Sequence, residues 1–151
     1  MEIGIKKQVY VAGVLVISAK IAGAKAAMQA AQEAANTEEK SSMGDKYETG
    51  RAMSQLAKDM NAQQMMAFQH ELNQLQKYAA LLPCKIIQPG ALVQTTQGYF
   101  YIAAAIGSVT INNLKVMILS PETPLSKALL GKKKGDAYEL NDKKLKVLLV
   151  E

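Results

Sequence analysis

One cysteine, one histidine and no tryptophan in 151 residues leave this sequence short of the side chains on which much enzyme chemistry depends. Cys84, standing alone, excludes an internal disulfide and any cysteine-rich metal cluster. Together with His70 it leaves almost nothing for nucleophilic or zinc catalysis. An acyl-condensing enzyme needs a thiol with histidine or asparagine partners on a much larger fold, and that class is excluded. Aromatic residues are also scarce, six Tyr and two Phe. Alanine and methionine supply much of the apolar content instead, a mixture suited to thin helix pairs more than to a thick core.

The formal net charge is +5, which permits an acidic partner without requiring one. Its distribution is more telling. Residues 1–80 carry nine basic and eight acidic side chains, and residues 81–151 carry nine and five. Between Glu33 and Glu48 the balance reverses, with five acids (Glu33, Glu38, Glu39, Asp45, Glu48) against Lys40 and Lys46. An acidic knot therefore lies inside a basic chain.

Apolar periodicity predicts a first helix over about 3–36. Val14, Ile17, Ile21, Ala24, Met28, Ala31 and Ala35 recur at steps of three and four, and the pattern extends back through Tyr10, Lys7 and Ile3. Gly13 and the β-branched residues before Ser18 weaken local helix propensity. Lys6-Lys7, the uncharged run from Gln8 to Ala19 and the small residues Ala22-Gly23-Ala24 also resemble a secretory leader. That run is too short to span a bilayer. The helical register passes straight through the would-be cleavage site, which argues against a leader.

A polar break at 37–44 precedes a second predicted helix, over about 43–82 and ending at Pro83. Its expected seam is Met53, Leu56 and Met60, then Phe68, Leu72, Leu75, Ala79 and Leu82, with a slip between residues 60 and 68. Two such helices joined by a short turn pair antiparallel, each about 50 Å long. Beyond Pro83 the texture changes to short apolar runs punctuated by Pro89-Gly90, Gln97-Gly98, Asn112-Asn113, Gly135-Asp136 and Asn141-Asp142. Strands are expected at 91–95, 99–105 and 114–119, with two more ending in 145–150. Thr123-Pro124 starts a short helix over 125–130, closed by Gly131. The expected class is α+β: a helical hairpin over 1–82 and a small antiparallel β-sheet domain with one short helix over 83–151.

Asp45 and Glu48, three residues apart at the start of the second helix, fall on one face and can share a cation. Hard divalent ions such as Mg²⁺ take oxygen ligands and draw the rest of their shell from water or a partner. Two carboxylates are too few for a tight site, but they suffice to complete one that a partner half-builds. The same residues also fit helix capping, since Ser42-x-x-Asp45 has capping-box spacing and acids in a first turn suit the helix dipole. Spacing leaves both readings open. Lys132-Lys133-Lys134, between two glycines, either meets phosphate or acidic protein or is a solvated turn. His70 reads as a hairpin-flank residue, Cys84 as a small filler near the junction, and the methionines as seam packing.

The stretch Thr123-Pro-Leu-Ser-Lys-Ala-Leu-Leu-Gly-Lys-Lys-Lys-Gly-Asp136 closely resembles a signature found late in Gre transcript-cleavage factors. Gly44-Asp45-Lys46-Tyr47-Glu48 resembles the hairpin tip of the same family, in the right order and at about the right separation. The resemblance implies a coiled-coil hairpin on an FKBP-like domain without isomerase activity. It also implies a monomeric cytoplasmic protein that is not itself an enzyme. In that family the C-terminal domain docks beside the secondary channel of RNA polymerase and the hairpin enters it. The tip acids, matching Asp45 and Glu48 here, help hold a Mg²⁺ shared with the polymerase, whose own centre cleaves the backtracked 3′ end of nascent RNA. The short helix (Leu125, Lys127) and the turn Lys132, Lys133 and Lys134 are the expected docking side. The sequence departs from the family at Tyr47 and Thr49, where Ser and Asn are usual, and at Arg51 and Ala52, where an acid and Tyr are usual. Two alternatives therefore stand beside cleavage: a channel-binding regulator without cleavage stimulation, and an exported or membrane-surface helical hairpin.

Overall fold

Alanine-rich sequence between residues 19 and 35 favours helix strongly enough to carry the β-branched residues before it into the same element. The computed structural model describes residues 3–39, 44–79 and 83–151, with side chains described for 4–36, 49–79 and 83–151. Helix α1 runs Ile3–Glu39 and α2 runs Gly44–Lys77. Taken whole, α1 is longer and more apolar than the run Gln8–Ala19 suggested. Its stretch Gly4–Asn36 contains an 18-residue window of mean hydropathy 1.6, long and apolar enough to cross a bilayer by length and composition, and 17 % of that window is buried.

The chain divides into two compact units, one of Met1–Val16 with Glu71–Glu151 and one of Ile17–His70. Within the second unit the helices pair antiparallel. Lys20 lies 5.9 Å from the Phe68 ring centroid, and Lys58 Nζ donates to Gln32 Oε1 at 2.6 Å, so contacts step towards the break from both sides. Ile17, Ala24 and Ala35 of the α1 seam are buried as expected. In α2 the second half of the expected seam holds through Phe68, Leu72 and Leu75, and the first half does not. Met53, Leu56 and Met60 are 66, 60 and 62 % exposed, while Ser54, Lys58, Asn61, Met65 and Phe68 are half-buried. The reason is phase. Leu75, Leu72 and Phe68 face inward, and counting back from them in unbroken steps of three and four gives Met65, Asn61, Lys58 and Ser54. A slip would have to unwind the helix to bring the methionines in. The small alanines on α1 offer too little apolar surface to repay that.

In the first unit the start of α1 buries Lys6, Val9 and Gly13 rather than the expected Lys7 and Tyr10, with Lys7 exposed and Tyr10 half-buried. The neighbours there come from the sheet domain as well as from α2, so a different side of the helix is covered. A Cβ on Gly13 would stand 2.9 Å from Ile118 Cδ1 and 3.2 Å from Leu75 Cδ2. Both neighbours are themselves buried. Glycine is thus required by close approach, despite its poor helix propensity. Gly13→Val is expected to destabilise the protein by about 1–3 kcal/mol through overpacking. Gly23→Ala, where nothing lies within 4 Å, should stabilise by about 0.5–1 kcal/mol. Paired thermal melts check the opposite signs.

The sheet contains β1 (Leu92–Thr95), β2 (Gly98–Ile102), β3 (Gly107–Ile111), β4 (Leu114–Leu119), β5 (Ala137–Leu140) and β6 (Lys143–Val150), in the order β3-β4-β2-β1-β6-β5. The α+β class holds: two long helices precede a six-stranded sheet with one short helix, α3 (Pro124–Leu129). The sheet is mixed, however, since β2 pairs with β4 in parallel, Tyr99 opposite Val116. The chain leaves β2, runs out to the edge as β3 and returns through Asn112-Asn113 as β4, which sets β4 parallel to β2. Both asparagines take positive φ, 50° and 66°, as do Asn141 and Asp142 in the β5–β6 turn, 52° and 63°. Two-residue hairpin turns of this kind need positive φ at both positions, and Asn and Asp tolerate it best after glycine.

Two further anchors fix the unit. Thr123 Oγ1 accepts from Ser126 N at 3.1 Å, capping α3 with Pro124 in the first turn, and Gly131 (φ 85°) follows its end. Glu71 Oε2 accepts from Ala105 N at 2.8 Å, tying α2 to the loop after β2. The core gathers Ile87, Ala91, Val93, Ile102, Leu129, Tyr138 and Val147, flanked by Phe100, Leu125 and Val150.

Candidate functional site

Asp45 and Glu48 belong by backbone to the first turn and a half of α2, directly after the break between the helices. Their side chains, with that of Tyr47, lie outside the described residues, as does Ser42. The two acids are three residues apart on one helix, so they share a face by backbone geometry alone. Thr49, Arg51 and Ala52 follow as exposed positions on the same helix.

The residues expected at the docking side divide into two groups. Leu125 is half-buried and packs on the core beside fully buried Leu129, while Lys127 on α3 is exposed. The Lys132–Lys134 turn is held by its backbone. Gly131 N donates to Ile87 O and Ile87 N to Lys132 O, both at 2.8 Å, and Lys133 N donates to the Asp136 carboxylate at 3.0 Å. Lys133 and Lys134 are exposed. Lys132 instead lines an open cleft of about 490 Å³ with Ala128, Tyr138, Glu139 and Lys144. The fold therefore adds Lys144, a residue the sequence did not single out, to the side formed by Lys132. Lys127, Lys133 and Lys134 do not line this cleft.

A second constellation was invisible in the sequence. Lys6, read there as part of a basic N-terminal pair, is 3 % exposed. Its Nζ donates to Cys84 Sγ at 3.8 Å and to Glu151 O at 3.2 Å. Gln88 Nε2 also donates to the same sulfur, at 3.4 Å. Tyr101 is fully buried, and among the described residues its hydroxyl has no hydrogen-bond partner. Burial holds the Lys6 ammonium below the usual lysine range, against the opposing pull of Cys84 and Glu151. Burial also pushes the Tyr101 phenol up to about 12, helped by Tyr10 and Cys84. No periodicity or motif signals such a cluster, because its members lie 78 residues apart for Lys6 and Cys84.

These shifts set a pH dependence. Because the Lys6 amine sheds its proton more readily folded than unfolded, the cost of burying its charge is fully present below its folded pKa. That cost is relieved as pH rises towards the unfolded value of 10.5. Tyr101 acts oppositely, and only above its unfolded value of 10.0, where the native state retains a proton that the unfolded chain loses. Replacing Lys6 with Met removes the first effect alone. The melting temperature of the wild type relative to Lys6→Met should therefore climb as pH is raised from neutral towards 10. A flat difference would show that Lys6 is not desolvated as described.

No protein-family model matches this chain, and no curated protein matches it either.

Proposed function

We propose that this chain is a Gre-like transcription elongation factor, which enters the secondary channel of RNA polymerase and promotes cleavage of backtracked RNA. One observation carries the reading: the pair Asp45 and Glu48 opens the second of two antiparallel helices, directly after the break between them. Two antiparallel helices with a pair of acids beside the break between them suit delivery of oxygen ligands into a narrow passage. At its end a Mg²⁺ held partly by the polymerase would gain the remaining ligands and activate water at a phosphodiester. The family-like stretch Thr123–Asp136 supports the same reading, since it forms a capped helix and a backbone-braced basic turn. Lys127, Lys133 and Lys134 are exposed there, available to an acidic partner. The chemistry belongs to the polymerase centre, and the factor supplies charge and position.

A second reading keeps the channel and omits the cleavage. Arg51 is exposed on α2 three residues beyond Glu48, a spacing that sets a cation on the face of a tip acid. Such a cation competes with a metal for the carboxylate. Stalled, backtracked elongation complexes with labelled RNA 3′ ends decide between the two. Release of short 3′ fragments on addition of the protein supports cleavage stimulation. Binding without release supports the channel-occupying regulator. Absence of binding to polymerase overturns both.

A further inference from the structure

A tight turn fixes which backbone groups of its hairpin face inward. In β5–β6 the turn is Asn141-Asp142, so Leu140 and Lys143 close it as a hydrogen-bonded pair. Bonded and non-bonded pairs alternate along an antiparallel ladder. Tyr138 with Leu145 is therefore bonded, whereas Glu139 with Lys144 and Ala137 with Lys146 are not. One step further along, Val147 N donates to Asp136 O at 2.8 Å, in the same phase. Ala137 and Glu139 consequently turn their N–H and C=O groups away from β6. Strand β5 is an edge of the sheet, and both residues are exposed. Among the described residues, no turn, loop or cap bonds to either of them.

This open edge borders the cleft of about 490 Å³. Lys132 enters the cleft from the α3 side, where Leu129 and Tyr138 share the core. Lys144 stands across the ladder from Glu139, and strand alternation puts that pair on the face opposite Tyr138. A cation therefore flanks the edge on each side. Residues 127–146 hold seven lysines against three acids, and one of those acids, Asp136, accepts from Lys133 N. A second copy of the chain is the wrong occupant, because pairing β5 with β5 would bring lysines of both copies together. The other edge, β3, has no charged residue to select a partner.

We propose that the β5 edge and its cleft bind an extended acidic peptide of another protein, which adds to the sheet as a strand beside β5. Main-chain bonds to Ala137 and Glu139 hold such a peptide whatever its sequence, and the lysines select its charge. Successive side chains of an added strand point to opposite faces, and Lys132 and Lys144 flank opposite faces. Consecutive acids therefore suit the site better than alternating ones. The Glu139 carboxylate lies on the Lys144 side, so the stronger attraction is to Lys132. This site is separate from exposed Lys127, Lys133 and Lys134, which do not line the cleft, and it does not rest on the polymerase reading.

The probe is a short labelled peptide with a run of aspartates between valine and threonine, added to the full-length protein at low ionic strength. Saturable binding is expected, weakened about tenfold or more when lysines replace the aspartates of the peptide. Amide hydrogen exchange reads the binding mode. The Ala137 and Glu139 amides, fast in the free protein, should slow about tenfold in the complex, while the Tyr138 amide, already bonded to β6, keeps its rate. A peptide N-methylated through its aspartates lacks the donors and should lose most of the affinity. Lys132→Glu should weaken binding several-fold and Lys144→Glu less, in variants whose amide spectra match the wild type. Absence of peptide binding would overturn the proposal. So would binding that leaves Ala137 and Glu139 exchange unchanged, equal affinity for the N-methylated peptide, or a cleft that takes a single-stranded RNA oligonucleotide that the acidic peptide cannot displace.

Discussion

Replacing Asp45 or Glu48 with alanine is expected to abolish stimulated RNA cleavage, with polymerase binding held within a few-fold of the wild type. Under the proposed mechanism, docking draws on the base domain and the flanks of the hairpin, while the tip contributes charge at the reacting phosphate. Loss of one carboxylate from a site that supplies only two removes half of what the factor offers the metal. The competing account, capping of α2, makes a different prediction. Asp45→Ala would then cost about 0.5–2 kcal/mol of stability and Glu48→Ala much less. Asp45→Asn separates them, because asparagine retains capping ability and loses the charge. Full cleavage by Asp45→Asn would remove the metal role. If the wild type binds and does not cleave, Tyr47→Ser tests whether the bulk of Tyr47 is the obstacle, and gain of cleavage by that variant would identify it.

Leu129→Asp is expected to unfold the sheet domain outright. Leu129 is fully buried in the core with Val93, Ile102 and Val147. Removing its side chain alone costs about 2–5 kcal/mol, and burying an unpaired carboxylate adds several more. Whole domains are stable by only about 5–15 kcal/mol. Leu125→Asp should be milder, since Leu125 is half-buried and its carboxylate can turn to solvent. Loss of the near-ultraviolet signal from Tyr101 and Tyr138, with much of the far-ultraviolet helix signal retained, is the expected result for Leu129→Asp. Unchanged thermal unfolding in both variants would show that α3 does not pack as described.

Local chemistry was readable wherever a residue acts on its own neighbours. Thr123-Pro124 announced a capped helix, and Thr123 caps it. Asn112-Asn113 and Asn141-Asp142 announced tight turns, and all four residues take positive φ. Strand β3 escaped because only Val109 of its five residues is buried, so its alternation was too weak to register. The far half of the α2 seam was not legible for a different reason. Apolar residues there do not face the partner helix, because the phase imposed by Phe68, Leu72 and Leu75 turns Met53, Leu56 and Met60 outward. Asp45 and Glu48 were legible as a pair because three-residue spacing needs only helical geometry.

By itself the sequence determined the α+β class, the two long helices, the turns and the capped helix, because backbone sterics and short-range hydrogen bonds act over a few residues. Tertiary structure alone decided which side of each helix is covered, that β4 runs parallel to β2, and that Lys6 meets Cys84. Those outcomes follow from packing between segments distant in the chain, where a one-position change of helical phase moves a side chain by about 100°. A lysine in that position passes from solvent into the interior, as Lys6 does while Lys7 remains outside.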